Sequence, residues 1–319
     1  MKATLRDLGS LNVAFTDILE CGGTVGKGTE MVWKRFLVGA LIAVVMAALA
    51  TAPAEATSQR HGGYLALGDS VAFGFRPGAV TPPAEYLDPA NFKGYAELYG
   101  ATQSLHVVNA SCPGETTASM MTAGAQSNGC ENSLGAPDGY RTHFPLHVKY
   151  SGTQLDYAVR YLRSHQDTRL VTLTIGANDL FLCQKTTASH CTGADFQAAL
   201  DRVGRNVTAI FAALRGTGHY RGTLMLVLYY SLDYRDPAQV AQSKALNAAL
   251  AGPAMRFHGV VADGLGAFRK ASQAAGGDTC AAGLVIALPG GGCDVHPTAA
   301  GHRALAGAME RARERSGRF

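Results

Sequence analysis

Residues 64–70 read Tyr64-Leu65-Ala66-Leu67-Gly68-Asp69-Ser70, an apolar run of strand length that stops at a glycine and two polar residues. Short apolar runs bounded by turn residues read as buried strands, and the polar pair then falls on a loop at the strand's carboxyl end. Four more runs of this kind occupy residues 105–109, 170–175, 223–228 and 260–263, each rich in Leu, Val or Ile. Helical patterning fills 92–99, 153–163, 196–214 and 238–258, and a last helical stretch at 299–313 closes the chain. Strands alternating with helices specify an α/β fold with a parallel, doubly wound sheet. Such sheets bind their ligands at the carboxyl ends of the strands.

Four polar blocks acquire meaning in that frame: Gly68-Asp69-Ser70, Ser111-Cys112-Pro113-Gly114, Gly176-Ala177-Asn178-Asp179 and Asp294-Val295-His296-Pro297. The first three follow the first three strands and the fourth precedes the last helix, so one edge of the sheet is expected to collect them. Ester cleavage needs these parts. A serine hydroxyl becomes a useful nucleophile only when a base takes its proton, and His296 is suited to that for Ser70. The tetrahedral intermediate needs donors aimed at its oxyanion, which the backbone N–H groups of Ser70 and Gly114 and the Asn178 amide can supply. A glycine at 114 also lets a backbone N–H approach a substrate without an intruding side chain. The competing readings are an ordinary turn after Pro113 and a helix cap at Asn178-Asp179, with Asp179 read as the cap. Asp69, adjacent to Ser70, reads as a turn stabiliser.

The chain has 319 residues, 47% of them hydrophobic and 16% charged, which is the composition of a large-cored globular protein and not of a disordered one. From Met31 the sequence runs Trp33-Lys34-Arg35, an apolar stretch over 36–50 and small residues ending Ala54-Glu55-Ala56, the order of a secretory signal. The expected organisation is therefore an upstream extension at 1–30, a signal peptide at 31–56 cleaved near Ala56, and one catalytic domain at 57–319. The product is expected to be secreted and monomeric. Retention of the apolar stretch as an anchor is the alternative, but it is shorter than the roughly twenty residues a spanning helix needs. Initiation at Met31 is a further alternative. The net charge of +4 comes without Lys/Arg runs interleaved with aromatics, so neither nucleic acid nor an anionic membrane is indicated. Residues 22–29 imitate a phosphate-binding loop but lack its glycine spacing and the Ser/Thr after the lysine.

Six cysteines beyond Cys21 fall into local couples, Cys112 with Cys130, Cys183 with Cys191 and Cys280 with Cys293. Six cysteines allow fifteen pairings, and proximity alone favours this one. Bridges closing loops of this size typically contribute about 2–4 kcal/mol each, and they persist only in an oxidising compartment. No metal is expected. His143 and His147 have helical spacing, but Pro145 interrupts the helix, and the cysteines lack paired C-x-x-C spacing.

The four blocks, in this order, resemble those of the SGNH (GDSL) hydrolase family over residues 63 to about 310. The resemblance implies a three-layer α/β/α sandwich with a flavodoxin-like five-stranded parallel sheet. It implies Ser70 as nucleophile, Gly114 and Asn178 as oxyanion donors beside the Ser70 N–H, and His296 as general acid and base, with no cofactor. The three cysteine couples are similar to those of secreted bacterial esterases, lipases and phospholipases A of the family. One departure stands out. The family's aspartate lies three residues before the histidine, where this chain has Cys293, and its own aspartate is Asp294, two residues before. Asp294 or a nearby backbone carbonyl is left to orient His296, as a triad or a dyad. His302 reads as a packing or surface histidine.

Small-molecule or lipid esters are the expected substrates, with a carbohydrate O-acetyl esterase as the alternative and a non-catalytic secreted binding module as an alternative of another class. Residues 76–91, 112–152, 181–195 and 264–292 are expected to be loops around the pocket. Met120, Met121, Phe144 and Leu146 read either as an acyl-site lining or, by preference, as a small core within their own loop.

Overall fold

A computed structural model describes residues 62–317. The expected upstream extension, the signal segment and residues 57–61 lie outside the described residues, as do Cys21 and the stretch at 22–29.

Five parallel strands form the sheet: β1 (Gly63–Gly68), β2 (His106–Asn109), β3 (Thr168–Thr174), β4 (Thr223–Val227) and β5 (Val260–Ala262). Their spatial order is β2-β1-β3-β4-β5, the flavodoxin-like order expected from the resemblance. β1, β3 and β4 are flanked on both sides and covered on both faces, which is why β1 and β4 read as continuous apolar runs, while β3 buries Thr172 and Thr174 among its apolar residues. β2 lies at the sheet edge, with His106 exposed.

Helices cover the two faces. α1 (Ser70–Phe73) is a single turn directly after β1, followed by α2 (Tyr95–Thr102), α3 (Tyr140–His143), α4 (Gln154–Ser164), α5 (Ala177–Thr186), α6 (Gly193–Arg215), α7 (Pro237–Arg256), α8 (Gly264–Ala271) and α9 (Ala299–Ser316). α2 and α8 pack against α9 in one layer, and α4, α5 and α7 pack against α6 in the other. The packing stripes have helical spacing: α6 buries Val203, Val207, Ile210, Phe211 and Leu214, and α9 buries Leu305, Ala308, Met309 and Ala312. Their starts are specified locally. Thr153 caps α4 by accepting from the Asp156 N–H, and Thr298 caps α9 by accepting from the Ala300 and Gly301 N–H groups.

Two of the expected pocket loops are more ordered than their sequences suggest. Ala177–Thr186 is helical, and its first turn is held by buried side-chain bonds described below. Residues 264–292 contain α8 and then β6 (Val285–Ala287), which pairs antiparallel with β7 (Cys293–Pro297) immediately after the segment. Glycines at 264 and 266 hide α8 from pattern reading, but the Asp263 carboxylate caps it at the Gly266 N–H.

The three cysteine couples form disulfides as spaced: Cys112–Cys130, Cys183–Cys191 and Cys280–Cys293. They tie the segment after β2, the end of α5 and the strand that carries His296. Met120 belongs to the central core and Met121 packs on it, while Phe144 and Leu146 cover a separate cluster of Phe73, Phe75, Tyr86, Phe92 and Tyr140. All four therefore have core contacts. Among the described residues no helix is long and apolar enough to cross a membrane.

His302, in the first turns of α9, is buried, and neither ring nitrogen meets a hydrogen-bond partner in the protein. Burial, with a smaller contribution from His296, lowers its pKa from the ordinary value to about 3. The folded state therefore holds His302 neutral where the unfolded chain protonates it. The stability this contributes is complete above pH ~6.5 and is lost as pH falls toward 3. His302→Leu is expected to be as stable as the parent or more stable at pH 7, with a free-energy gap that widens by about 3 kcal/mol by pH 4. Thermal denaturation from pH 7 to 4 measures it, and parallel curves would contradict the assignment.

Candidate active site

Ser70 opens α1 at the carboxyl end of β1, and His296 lies near the end of β7. The Ser70 Oγ and His296 Nε2 are 2.8 Å apart. On the other side of the ring, His296 Nδ1 meets Asp294 Oδ1 in a short hydrogen bond. The same oxygen accepts the His296 backbone N–H at 2.9 Å. An aspartate reaching its own backbone two residues on is an Asx turn, which explains how a residue only two positions before the histidine reaches the ring. The carbonyl of Val295, between them, is taken by the Tyr230 hydroxyl at 2.6 Å. Asp294 and His296 are 1% exposed and Ser70 6%, so bulk water is largely excluded from the chain of contacts. Phe75 packs edge-on against the imidazole, centroids 4.9 Å apart, and joins it to the aromatic cluster.

The turn before Ser70 is fixed from several sides. Gly68 has φ +132, and a Cβ there would lie 1.9 Å from the Thr174 carbonyl oxygen, so the crossing of β1 past β3 admits only glycine. Gln154, the first residue of α4, accepts the Gly68 N–H at 2.6 Å and donates to the Gly68 carbonyl at 3.0 Å. Asp69 does what a turn stabiliser does: it caps α1 by accepting the Val71 N–H and accepts the Tyr229 hydroxyl. Burial, partly offset by those bonds, raises its pKa to about 6.

The second and third blocks are bonded to each other. Gly114 has φ +81, and a Cβ there would lie 2.6 Å from the Asn128 carbonyl oxygen. Its need for glycine thus comes from the 128–129 backbone packed on it as well as from any substrate. The Asn128 N–H donates to the Gly114 carbonyl at 2.8 Å. The Asn178 Nδ2 donates to the Glu115 carbonyl at 3.0 Å, and its Oδ1 accepts from Asn128 Nδ2 at 2.8 Å.

Asp179 departs from its expected role as a helix cap. Gly176 occupies the cap position, and the Asp179 carboxylate, in the first turn of α5, accepts the Thr117 N–H and hydroxyl at 2.9 and 2.6 Å. It therefore ties the Asn178 helix to the Gly114 loop. Glu115 follows Gly114 and is also buried, bonded to Ser119 and to Gln154 at 3.0 Å. Burial raises its pKa to about 7, its hydrogen bonds acting in the opposite direction.

The histidines considered for metal are engaged otherwise: His143 Nε2 lies 2.8 Å from Asp138 Oδ2 and His147 Nε2 lies 3.0 Å from the Phe73 carbonyl. Cys112, Glu115 and Cys130 cluster closely, but both sulfurs belong to one disulfide. Sequence reasoning missed Phe75, Glu115, Asn128, Gln154, Lys185 and Tyr229. Their roles arise from contacts across tens of residues, and no local spacing marks them.

A buried serine, histidine and aspartate in hydrogen-bonded sequence at the carboxyl edge of a parallel sheet define a serine hydrolase of the α/β/α class. The GDSL-like lipase/acylhydrolase family model matches residues 66–304, and the chain belongs to that family, whose members are serine ester hydrolases. Among solved structures, the chain is similar to an alpha/beta hydrolase enzyme from the metagenome of Lake Arreo, at 19% identity over 80% of this chain and 95% of that one, TM-score 0.44. It is also similar to an acetylxylan esterase from Geobacillus stearothermophilus, at 16% identity over 79% and 93%, TM-score 0.46. At this distance neither likeness assigns a substrate. No curated protein matches the chain.

With the carboxylate on Nδ1, Asp294→Asn is expected to lower kcat for ester hydrolysis by about 10⁴, since an amide supports the wrong imidazole tautomer. Steady-state kinetics on a soluble ester decides it, and a loss below about tenfold would transfer the orienting role to the backbone.

Proposed function

We propose that this chain is a secreted carboxylic-ester hydrolase acting through an acyl-serine intermediate. The observation that carries the reading is the continuous buried array Ser70–His296–Asp294. Ser70 Oγ attacks the ester carbonyl as its proton passes to His296 Nε2. Asp294 holds the ring with Nδ1–H toward it and stabilises the imidazolium that forms. The oxyanion is received by the Ser70 and Gly114 N–H groups and the Asn178 amide, each such donor typically worth about 2.7–4 kcal/mol in the barrier. As the intermediate collapses, His296 returns the proton to the departing alcohol. Water then attacks the acyl-serine, His296 taking its proton and passing it back to Ser70 Oγ as the carboxylic acid leaves. No step requires a metal or organic cofactor.

Lipid or other acyl esters are the favoured substrates, phospholipase A activity included. Support comes from the segment over the aromatic cluster: Val80, Pro82, Pro83, Ala84 and Leu87 are exposed, while its Glu85 is paired with Arg76. Rings lead from Tyr86 through Phe75 to His296. Those five exposed residues set apolar surface beside the aromatic cluster, next to the exposed Asp88 and Asn91. Secretion is supported by the three disulfides and by the leader pattern before residue 57.

A panel of p-nitrophenyl esters from acetyl to palmitoyl, followed by phospholipid and acetylated xylan, tests both levels. Turnover is expected to vanish in Ser70→Ala and to be greatest with a medium or long acyl chain. Activity surviving in Ser70→Ala would overturn the mechanism. Preference for acetyl esters and acetylated xylan would move the substrate to carbohydrate.

A further inference from the structure

Lys185 and Asn128 lie beyond the reacting groups, in a hydrogen-bonded line that ends at the Asn178 amide. Lys185 is seven residues after Asn178 on α5, two turns along the same face. Its Nζ donates to Asn128 Oδ1 at 2.9 Å, and Asn128 Nδ2 donates to Asn178 Oδ1 at 2.8 Å. An ammonium has only hydrogens to offer, so the Asn128 oxygen must face it. The nitrogen of Asn128 must then face Asn178, and Asn178 in turn must present its oxygen to Asn128. Its nitrogen is left with one hydrogen on the Glu115 carbonyl at 3.0 Å and a second for a ligand.

We propose that Lys185 and Asn128 are positioning residues of the oxyanion hole, a donor-only lysine setting the direction of a two-amide relay that ends at Asn178. The proposal rests on the reading of Asn178 as an oxyanion donor. Asn128 serves both candidate donors, because its backbone N–H also holds the Gly114 carbonyl at 2.8 Å. The relay is braced at both ends: the Cys112–Cys130 disulfide closes the loop that carries Asn128, and Cys183–Cys191 fixes the last turn of α5 beside Lys185. Without the lysine, Asn128 can turn over and set its own oxygen against Asn178 Oδ1, so that the Glu115 carbonyl alone is left to hold the Asn178 amide in its donating direction. The ammonium also places positive charge at the far end of a polarisable chain, where it strengthens donation as negative charge builds on the substrate.

The relay acts on the transition state, so its loss appears in kcat and not in KM. Lys185→Met is expected to lower kcat on p-nitrophenyl acetate by about 10–100-fold, less than loss of a whole donor, with KM within about twofold. In an Asn178→Ala background the same substitution is expected to cost less than about twofold, because its target is already gone. Asn128→Ala breaks the relay at its middle, keeps the N–H to Gly114, and is expected to repeat the pattern. It carries the test should Lys185→Met fail to fold by circular dichroism. Unchanged kcat in both variants, or losses that simply add to that of Asn178→Ala, would overturn the relay. If Ser70→Ala is dead and Asn178→Ala impaired while either result is found, the relay alone falls. If Asn178→Ala keeps full kcat, the donor role of Asn178 falls and the relay with it.

Discussion

A hydrogen bond of 2.8 Å between Ser70 Oγ and His296 Nε2 joins the first turn of the described domain to its last strand. Nothing in the local chain around either residue brings them together across 226 positions. The sheet does, because the order β2-β1-β3 sets the carboxyl ends of three consecutive strands side by side, and the β6–β7 hairpin returns the chain to that edge before α9. The glycine at 68, the Gln154 clamp and the Asp69 cap all hold the backbone that aims Ser70. The Cys280–Cys293 bridge anchors the start of the strand that carries His296.

The edge of the sheet is crowded with buried polar groups, and each is satisfied by a neighbouring block. Asp69 bonds Tyr229, Asp179 bonds Thr117, Glu115 bonds Gln154, and Asn178 bonds both Asn128 and Glu115. Burying such groups costs free energy unless they are paired, so the pairing makes their relative positions mutually dependent. A loop that moved would leave several of them unpartnered at once. The Gly114 loop and the first turn of α5 are therefore held as one frame, which is the preorganisation that the proposed oxyanion-donor role requires.

The sheet and the four blocks were legible because their signals are local. The buried strands are short, mostly apolar runs, and a polar or glycine-containing block follows each of the first three within a few residues. The same locality explains what sequence could not give. Asp294 stands one place away from the family's position, and only an Asx turn, visible in three dimensions, brings its carboxylate to Nδ1. α5 was hidden because Asn, Asp, Thr and Cys weaken its helical pattern, while the bonds that stabilise its first turn come from residue 117. Asp179 looked like a cap because caps are common after strands, yet its partner lies 62 residues away. Lys185, Asn128 and Gln154 are ordinary polar residues in the sequence, and only the fold makes them neighbours of the site.

Everything in the proposed chemistry rests on Ser70 being the group that His296 activates. Treatment with a fluorophosphonate probe, followed by peptide mass mapping, tests it directly. One phosphonyl group per molecule is expected, located on Ser70, formed in parallel with loss of esterase activity and abolished in His296→Ala. Stoichiometric labelling at another serine, or full esterase activity in protein fully labelled at Ser70, would contradict it.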